Sequence, residues 1–423
     1  MTAAVAATPK TYGGQARVFA VAATLFVIWG VGLWLYNQLI YRYAAFFGFE
    51  GARTAFMLAS FHVAYAVLAV PAVLFHRQFG FKLGVLAGLS VFALGAFVLY
   101  LAIVQHSSAC LIGAVVVIGS CGVWLDTSLN PLAVDPSNPQ TAAKRLNLAH
   151  VFNGLGMYAA VAFALSLLGN DFQLFHSVSS QATARPYVLV GLGAIILAFL
   201  IEQIALPDYA SKGSVKASEN IPGFRAEVGA LMGDKAFLLA AAALGAYCIV
   251  LTVLWTSGYQ YHAHELPHHN GQWFEQGPFL LLMGRLAGIV LMQRLAPLRL
   301  LQWCAGLGLV TITLAAAVGG MTGWTALAVS SLFLSITFPT VYGSALGRNA
   351  TRMAVVAGML AITCGVCNAL SSLLSALALD TFSLNPRIVV LAALPFEAII
   401  LICALKSHVA GRAKAANPMP VQA

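Results

Sequence analysis

The sequence predicts an all-α integral membrane protein, with twelve transmembrane helices arranged as two six-helix bundles. Three observations predict it. The first is composition: of 423 residues, 60% are hydrophobic and only 8% charged, against about 25% charged in an ordinary soluble chain. The second is run length. A membrane-spanning helix needs about 20 apolar residues, so roughly twelve spans would absorb nearly all of those present. The third is a long polar break at 207–235, with Lys212, Lys216, Glu219, Arg225, Glu227, Asp234 and Lys235 beside Pro207 and Pro222, which cuts the chain in two. Together these exclude a soluble enzyme, a disordered chain and a nucleic-acid binder. The net charge of +9 fits Lys and Arg gathered in cytoplasmic loops, so no nucleic-acid partner is expected.

The elements follow in order. Apolar runs between short polar breaks put spans at 17–41, 53–75, 83–105, 108–132, 145–169 and 185–206 in a first half, 1–206. After a cytoplasmic linker at 207–235, a second half, 236–423, holds spans at 236–262, 274–293, 299–318, 322–346, 352–378 and 386–406, then a short tail. Pro71, Pro131 and Pro339 fall inside or at the ends of spans, where they free backbone carbonyls. The first sixteen residues lack the pattern of a cleaved signal, so the first span is expected to act as its own insertion signal.

Orientation is read from Lys and Arg alone. With the N-terminus inside, the inner segments hold seventeen of them and the outer segments only four: Arg42, Arg53, Arg185 and Arg387. Arg285 is left near an inner helix end. Both termini and the central linker are therefore expected to be cytoplasmic, in a multi-pass protein of the plasma (inner) membrane. Two six-helix bundles around a central cavity is the plan of rocking-bundle carriers of small solutes. Such a fold needs no partner chain, and a monomer in the lipid bilayer is expected.

The most informative stretch is 122–156. It runs Trp124-Leu-Asp126-Thr127-Ser128-Leu-Asn130-Pro131, then Lys144-Arg145-Leu-Asn147-Leu-Ala-His150-Val-Phe-Asn153-Gly154-Leu-Gly156. A charge at the bilayer centre costs at least about 2.5–3.5 kcal/mol, so Asp126 must face water, solute or a partner. Asp126 and Asn130 stand at i and i+4 and share a helix face.

These residues resemble the fucose/galactose/glucose:proton symporter branch of the major facilitator superfamily. Its members carry Leu-Glu-Thr-Ala-Ala-Asn-Pro in the fourth span and Arg-Leu-Asn-Leu-Ala-Gln-x-Phe-Asn-x-x-Gly in the fifth. Ser335-Ile-Thr-Phe338-Pro339-Thr340-Val-Tyr342 is similar to the family's tenth-span motif. Phe61, Tyr65, Pro71 and Gly80-Phe-Lys82 fit the second span and the loop after it, and Gly284-Arg285-Leu-Ala-Gly288 fits the eighth. The resemblance implies the major facilitator fold and secondary transport of a sugar or polyol with protons as the coupling partner, without a cofactor.

Carried over residue by residue, the resemblance makes Asp126 the coupling carboxylate of span four and turns the carboxylate of span one into Asn37, which cannot take up a proton. The fifth-span Gln becomes His150, a polar position of span seven becomes Leu251, and an aromatic of span two becomes His62. Asp126 and His150 are thus the expected proton-coupling pair, with imidazole able to titrate near physiological pH. Asn37, Gln38, Asn130, Asn153 and His62 are expected to hydrogen-bond solute, and Trp34, Trp255, Phe338 and Tyr342 to stack on it. Arg145 and Arg285 are expected to gate or anchor.

Other features receive plainer readings. The Cys364/Cys367 pair lies in an apolar helix and is read as packing. Glu397, the other acid deep in a span, is expected to have a local structural role. The histidines of 262–269 are read as a solvated loop, with no metal assigned. An uncoupled facilitator or an efflux carrier of a less polar solute is the alternative, favoured by Asn37 and Leu251. A polytopic membrane enzyme or a transporter-derived sensor is a different class. No catalytic cluster, phosphate-binding Gly-rich loop or extra soluble domain supports either.

Overall fold

A computed structural model describes residues 12–49, 52–168, 180–204, 206, 223–268 and 276–416. Among them the regular structure is helical. The first half contributes α1 (Tyr12–Phe46), α2 (Ala52–Val104), α3 (Ser108–Ala133), α4 (Ala142–Leu168) and α5 (Ser180–Glu202). A short α6 (Phe224–Met232) precedes α7 (Lys235–Glu265), α8 (Gln276–Leu291), α9 (Pro297–Val318), α10 (Gly320–Leu334) and α11 (Thr337–Arg348). The chain closes with α12 (Met353–Ala376), α13 (Pro386–Leu391) and α14 (Leu394–Ala416). Seven of the described helical runs are long and apolar enough to cross a membrane, and Ala16–Gly32, Tyr187–Glu202 and Gly277–Leu291 are shorter apolar helices.

Three departures from the expected spans have local causes. The loop expected around Gly80 is absent: α2 runs through both 53–75 and 83–105, and the chain turns at Gly80 alone, whose φ of 84° is one that glycine adopts without a Cβ clash. The interval 322–346 is broken between α10 and α11 at Ser335–Ile336. Pro339 then sits in the first turn of α11, where its missing N–H costs nothing. The interval 386–406 is likewise broken, between α13 and α14. Within the linker, α6 is held to the first half by an ion pair between Arg77 and Glu227 at 2.5 Å, while 207–222 lie outside the described residues.

Within the first half α1 packs on α4, and α2 on α3 and α5; within the second, α9 packs on α10, and α14 and α12 on α7. The halves meet where α12 lies on α2 and where α8 and α11 lie on α4. The α11–α4 seam is close because two glycines leave room for backbone. A Cβ on Gly343 would fall 2.9 Å from Ala142 O, and one on Gly347 2.6 Å from Pro139 O. On α12, Gly358 abuts Val73 and Gly365 abuts Ala66 in the same way. Asn147 crosses the seam to donate to Thr340 Oγ1 at 2.9 Å. The ends of α3 and α11 nearest Pro139 and Arg348 are thus sealed, and a cavity lies between the halves beyond the seal.

Candidate functional site

The cavity encloses about 300 Å³. Its floor carries Asp126, His150, Asn153, Arg285 and Phe338, and its walls reach Gly258, Gly277 and Trp324 at the helix ends away from the seal. Nine of the described helices contribute to its lining: α1, α2, α3, α4, α7, α8, α10, α11 and α12.

Asp126 is buried on α3, and a buried charge must be met by hydrogen bonds. Oδ2 accepts from the Tyr65 hydroxyl at 2.7 Å, and Oδ1 accepts from Asn130 Nδ2 at 2.7 Å. The same Asn130 nitrogen donates to the Asp126 carbonyl one turn back at 2.9 Å. Since its nitrogen faces Asp126, its oxygen faces His150, whose Nε2 lies 3.1 Å away. An amide oxygen only accepts, so the network assigns the imidazole hydrogen to Nε2. The ring is wedged between Phe26 and Phe338, with centroids 5.0 and 5.2 Å away. Donors on both sides therefore point at one carboxylate.

Arg285 closes the floor from the second half. It is buried, and its Nη1 donates to the His150 carbonyl at 2.9 Å and to Asn153 Oδ1 at 3.3 Å. Its Nε reaches Ser335 O at 3.5 Å, at the α10–α11 break. Asn153 Nδ2 turns the other way, to Phe26 O on α1 at 3.4 Å. Expected near an inner helix end, Arg285 instead lies in the cavity floor and ties α8 to α4.

The other expected site residues divide. His62, Asn153, Trp255 and Phe338 line the cavity. His62 Nδ1 lies 3.3 Å from Leu58 O, so its second nitrogen is the one available to solute. Asn130 and Tyr342 are fully buried and do not line it. Asn130 acts through Asp126 and His150, and the Tyr342 hydroxyl donates to Ala357 O at 3.2 Å. Arg145 also stands apart from the cavity. Its Nε donates to Ala133 O at 3.0 Å, and its guanidinium lies 5.1 Å from the Phe19 ring centre, so it anchors α4 to α3 and α1. Trp34, Asn37 and Gln38 are on α1, but their side chains lie outside the described residues.

Several cavity groups escaped the sequence reading. The sequence motif places Tyr65 in the second span without a role, and the structure makes it a hydrogen-bond partner of Asp126. Tyr247, Thr252 and Asn368 line the second half's wall, where Thr252 Oγ1 donates to Asn368 Oδ1 at 2.9 Å. Asn368 stands four residues beyond Cys364 in the stretch read as packing, and this polar residue within an apolar run was the signal to follow. Thr127, adjacent to Asp126, faces away from the cavity, with its Oγ1 2.9 Å from Nε2 of the buried His76. Leu251 does face the cavity. Glu397 is buried against Gly308 and lies outside the cavity. Among the described residues no group of three His, Cys, Asp or Glu side chains could hold a metal ion; His269 lies outside them.

No protein-family model matches the chain. The L-fucose-proton symporter of Escherichia coli (strain K12) is 25% identical over 354 residues, covering 78% of this chain and 80% of that protein. The L-fucose-proton symporter of Haemophilus influenzae is 26% identical over 375 residues, covering 81% and 86%. A glucose/galactose transporter of Brucella abortus is 26% identical over 328 residues, covering 76% and 78%. The crystal structure of the E. coli fucose:proton symporter superposes with a TM-score of 0.79 at 21% identity, covering 93% of this chain and 99% of that one. A major facilitator transporter crystallised in the outward conformation superposes at 0.77 with 22% identity, covering 92% and 98%. The chain therefore has the major facilitator fold and resembles, over most of its length, the fucose/glucose/galactose branch of that superfamily, whose members are transporters and not enzymes.

Proposed function

We propose that the protein is a secondary active transporter of a sugar or polyol, working by proton-coupled symport with alternating access. Twelve spans form two bundles, 1–206 and 236–423, joined by the linker 207–235. Both termini face the cytoplasm of a plasma (inner) membrane. The observation that carries this reading is Asp126: a carboxylate on the floor of a cavity between two halves, accepting from Tyr65 on one side and Asn130 on the other. As an anion it accepts both bonds. A proton on Oδ1 or Oδ2 turns that oxygen into a donor and forces either Asn130 or Tyr65 to turn. Because Asn130 also holds His150, and Arg285 of the second half holds the His150 carbonyl, a proton on Asp126 changes the contacts between the halves.

With the Lys- and Arg-rich ends inside, the sealed end is cytoplasmic and the cavity faces outward. The mixture of amide and hydroxyl groups with aromatic walls suits a ring that has polar edges and apolar faces. The wall residue Leu251 supports the second reading, an uncoupled facilitator, since it removes polarity from the cavity.

The test uses purified protein in liposomes with labelled L-fucose, D-glucose and D-galactose. The expected result is uphill uptake of at least one sugar under an inward proton gradient, with Asp126→Asn folding normally and losing accumulation. Full accumulation by Asp126→Asn would sink the coupling assignment. Counterflow at symmetric pH without any response of the wild type to a gradient would establish the facilitator.

A further inference from the structure

The second half of the cavity contains a hydrogen-bonding device that mirrors one in the first. Halves of this fold are parallel repeats related by an axis along the membrane normal. In the first half Asn153, on the fifth expected span, reaches the first span by donating to Phe26 O. In the second half Asn368, on that half's fifth expected span, is reached from its first span by Thr252, whose hydroxyl donates to Asn368 Oδ1 at 2.9 Å. Both asparagines line the cavity. The hydroxyl fixes the direction of the Asn368 amide. With Oδ1 occupied, both hydrogens of Nδ2 remain, and no described residue accepts from them. Asp126, on the first half, offers acceptor oxygens to the same cavity. An acceptor on one wall and an oriented donor on the other match a solute with hydroxyls on opposite edges of a ring.

We propose that Asn368 is a solute-binding residue of the second half, held in register by Thr252, and that it donates to one ring or hydroxyl oxygen of a pyranose whose opposite edge meets Asp126 and Asn153. The inference rests on the sugar reading above and adds the contact that couples bound solute to the second half. A solute touching both walls favours the state in which the halves close on it, which is the differential interaction alternating access requires.

Binding of L-fucose, D-glucose and D-galactose, each with its singly deoxygenated analogues, is measured by calorimetry on purified full-length protein. The expected result is that Asn368→Ala weakens binding of the accepted sugar about tenfold. It should leave unchanged the affinity for the one deoxy analogue that lacks the contacted oxygen. Thr252→Val should weaken binding in the same pattern, and Thr252→Ser should restore it, as expected of a positioning hydroxyl. Unchanged affinity in Asn368→Ala, or an equal loss for the parent sugar and every analogue, overturns the assignment while leaving the sugar reading intact. Failure of the wild type to bind any of the three sugars overturns both.

Discussion

His150 Nε2 and Asn130 Oδ1 lie 3.1 Å apart, and the direction of that bond is set by a third residue, because the Asn130 nitrogen is already committed to Asp126. The histidine acts on the carboxylate without touching it. It orients the amide that does, and Arg285 of the opposite half holds its own carbonyl. The floor of the cavity is thus one chain of donors from Arg285 and His150 to Asp126.

A donor at this position is therefore what matters, more than an imidazole. His150→Gln places an amide N–H where Nε2–H now stands and should keep gradient-driven uptake within a few-fold of the wild type. His150→Phe fits between Phe26 and Phe338 but leaves Asn130 Oδ1 unpaired, a loss of about 1–3 kcal/mol at a buried acceptor. Uptake should fall by roughly tenfold or more, while the detergent-solubilised protein still elutes as a folded species. Equal uptake by the two variants would show that the hydrogen bond has no role in coupling.

Much of the fold is legible in the sequence because burial in lipid leaves a chemical trace in every span: long apolar runs with polar punctuation. The break at Gly80 was not legible as a kink, since one glycine between two apolar runs looks like a loop. The α10–α11 break carried only Pro339 as a sign. At the site, the i and i+4 spacing put Asp126 and Asn130 on one face, and they bond directly. Spacing could not say that Asn130 faces the neighbouring helix while Asp126 faces the cavity, because that depends on how α3 is rotated against α4. The same dependence on helix rotation turns Tyr342, expected to stack on solute, toward Ala357 O and off the cavity lining. Asn368 shows in the sequence only as a lone polar residue in an apolar run, with no periodic pattern to give it a role. Only packing shows which wall it occupies.

The seal between the halves depends on Gly343, whose Cβ position lies 2.9 Å from both Ala142 O and Ala143 Cα. Backbone cannot yield as a side-chain tip can, so Gly343→Leu should disfavour the sealed state by about 1–3 kcal/mol, an overpacking cost. That is enough to redistribute two states separated by a few kcal/mol. Cys364, which lines the cavity, reports the outcome. A small membrane-impermeant thiol reagent added to intact cells should label Cys364 in the wild type and several-fold more slowly in Gly343→Leu. The reason is that the cavity closes outward as the inner seal opens. Gly113→Leu, at a glycine with open space around it, should label like the wild type. Unchanged labelling of Gly343→Leu would mean that this seam does not control access to the cavity.

The end of the second half away from the seal is held by charge. Glu265, at the end of α7, accepts from the Gly320 N–H at 2.7 Å through Oε2 and meets His264 Nδ1 at 3.1 Å through Oε1. Arg387 stands beside it, donating to Ala316 O at 2.8 Å and also to Ala317 O. The Gly320 N–H, above all, and then His264 and Arg387 hold the Glu265 carboxyl below its ordinary value. A carboxylate depressed in this way stabilises the fold fully above its unfolded pKa of about 4.3. That stability is lost as pH falls through the lower folded value. Glu265→Gln keeps an acceptor for Gly320 but removes the charge facing Arg387 and His264. Its melting temperature in detergent should lie below the wild type's at pH 7, and the gap should narrow progressively below about pH 4 as Glu265 itself is neutralised. A gap of the same size at pH 7 and at pH 3.5 would show that the lost interaction is packing and not charge.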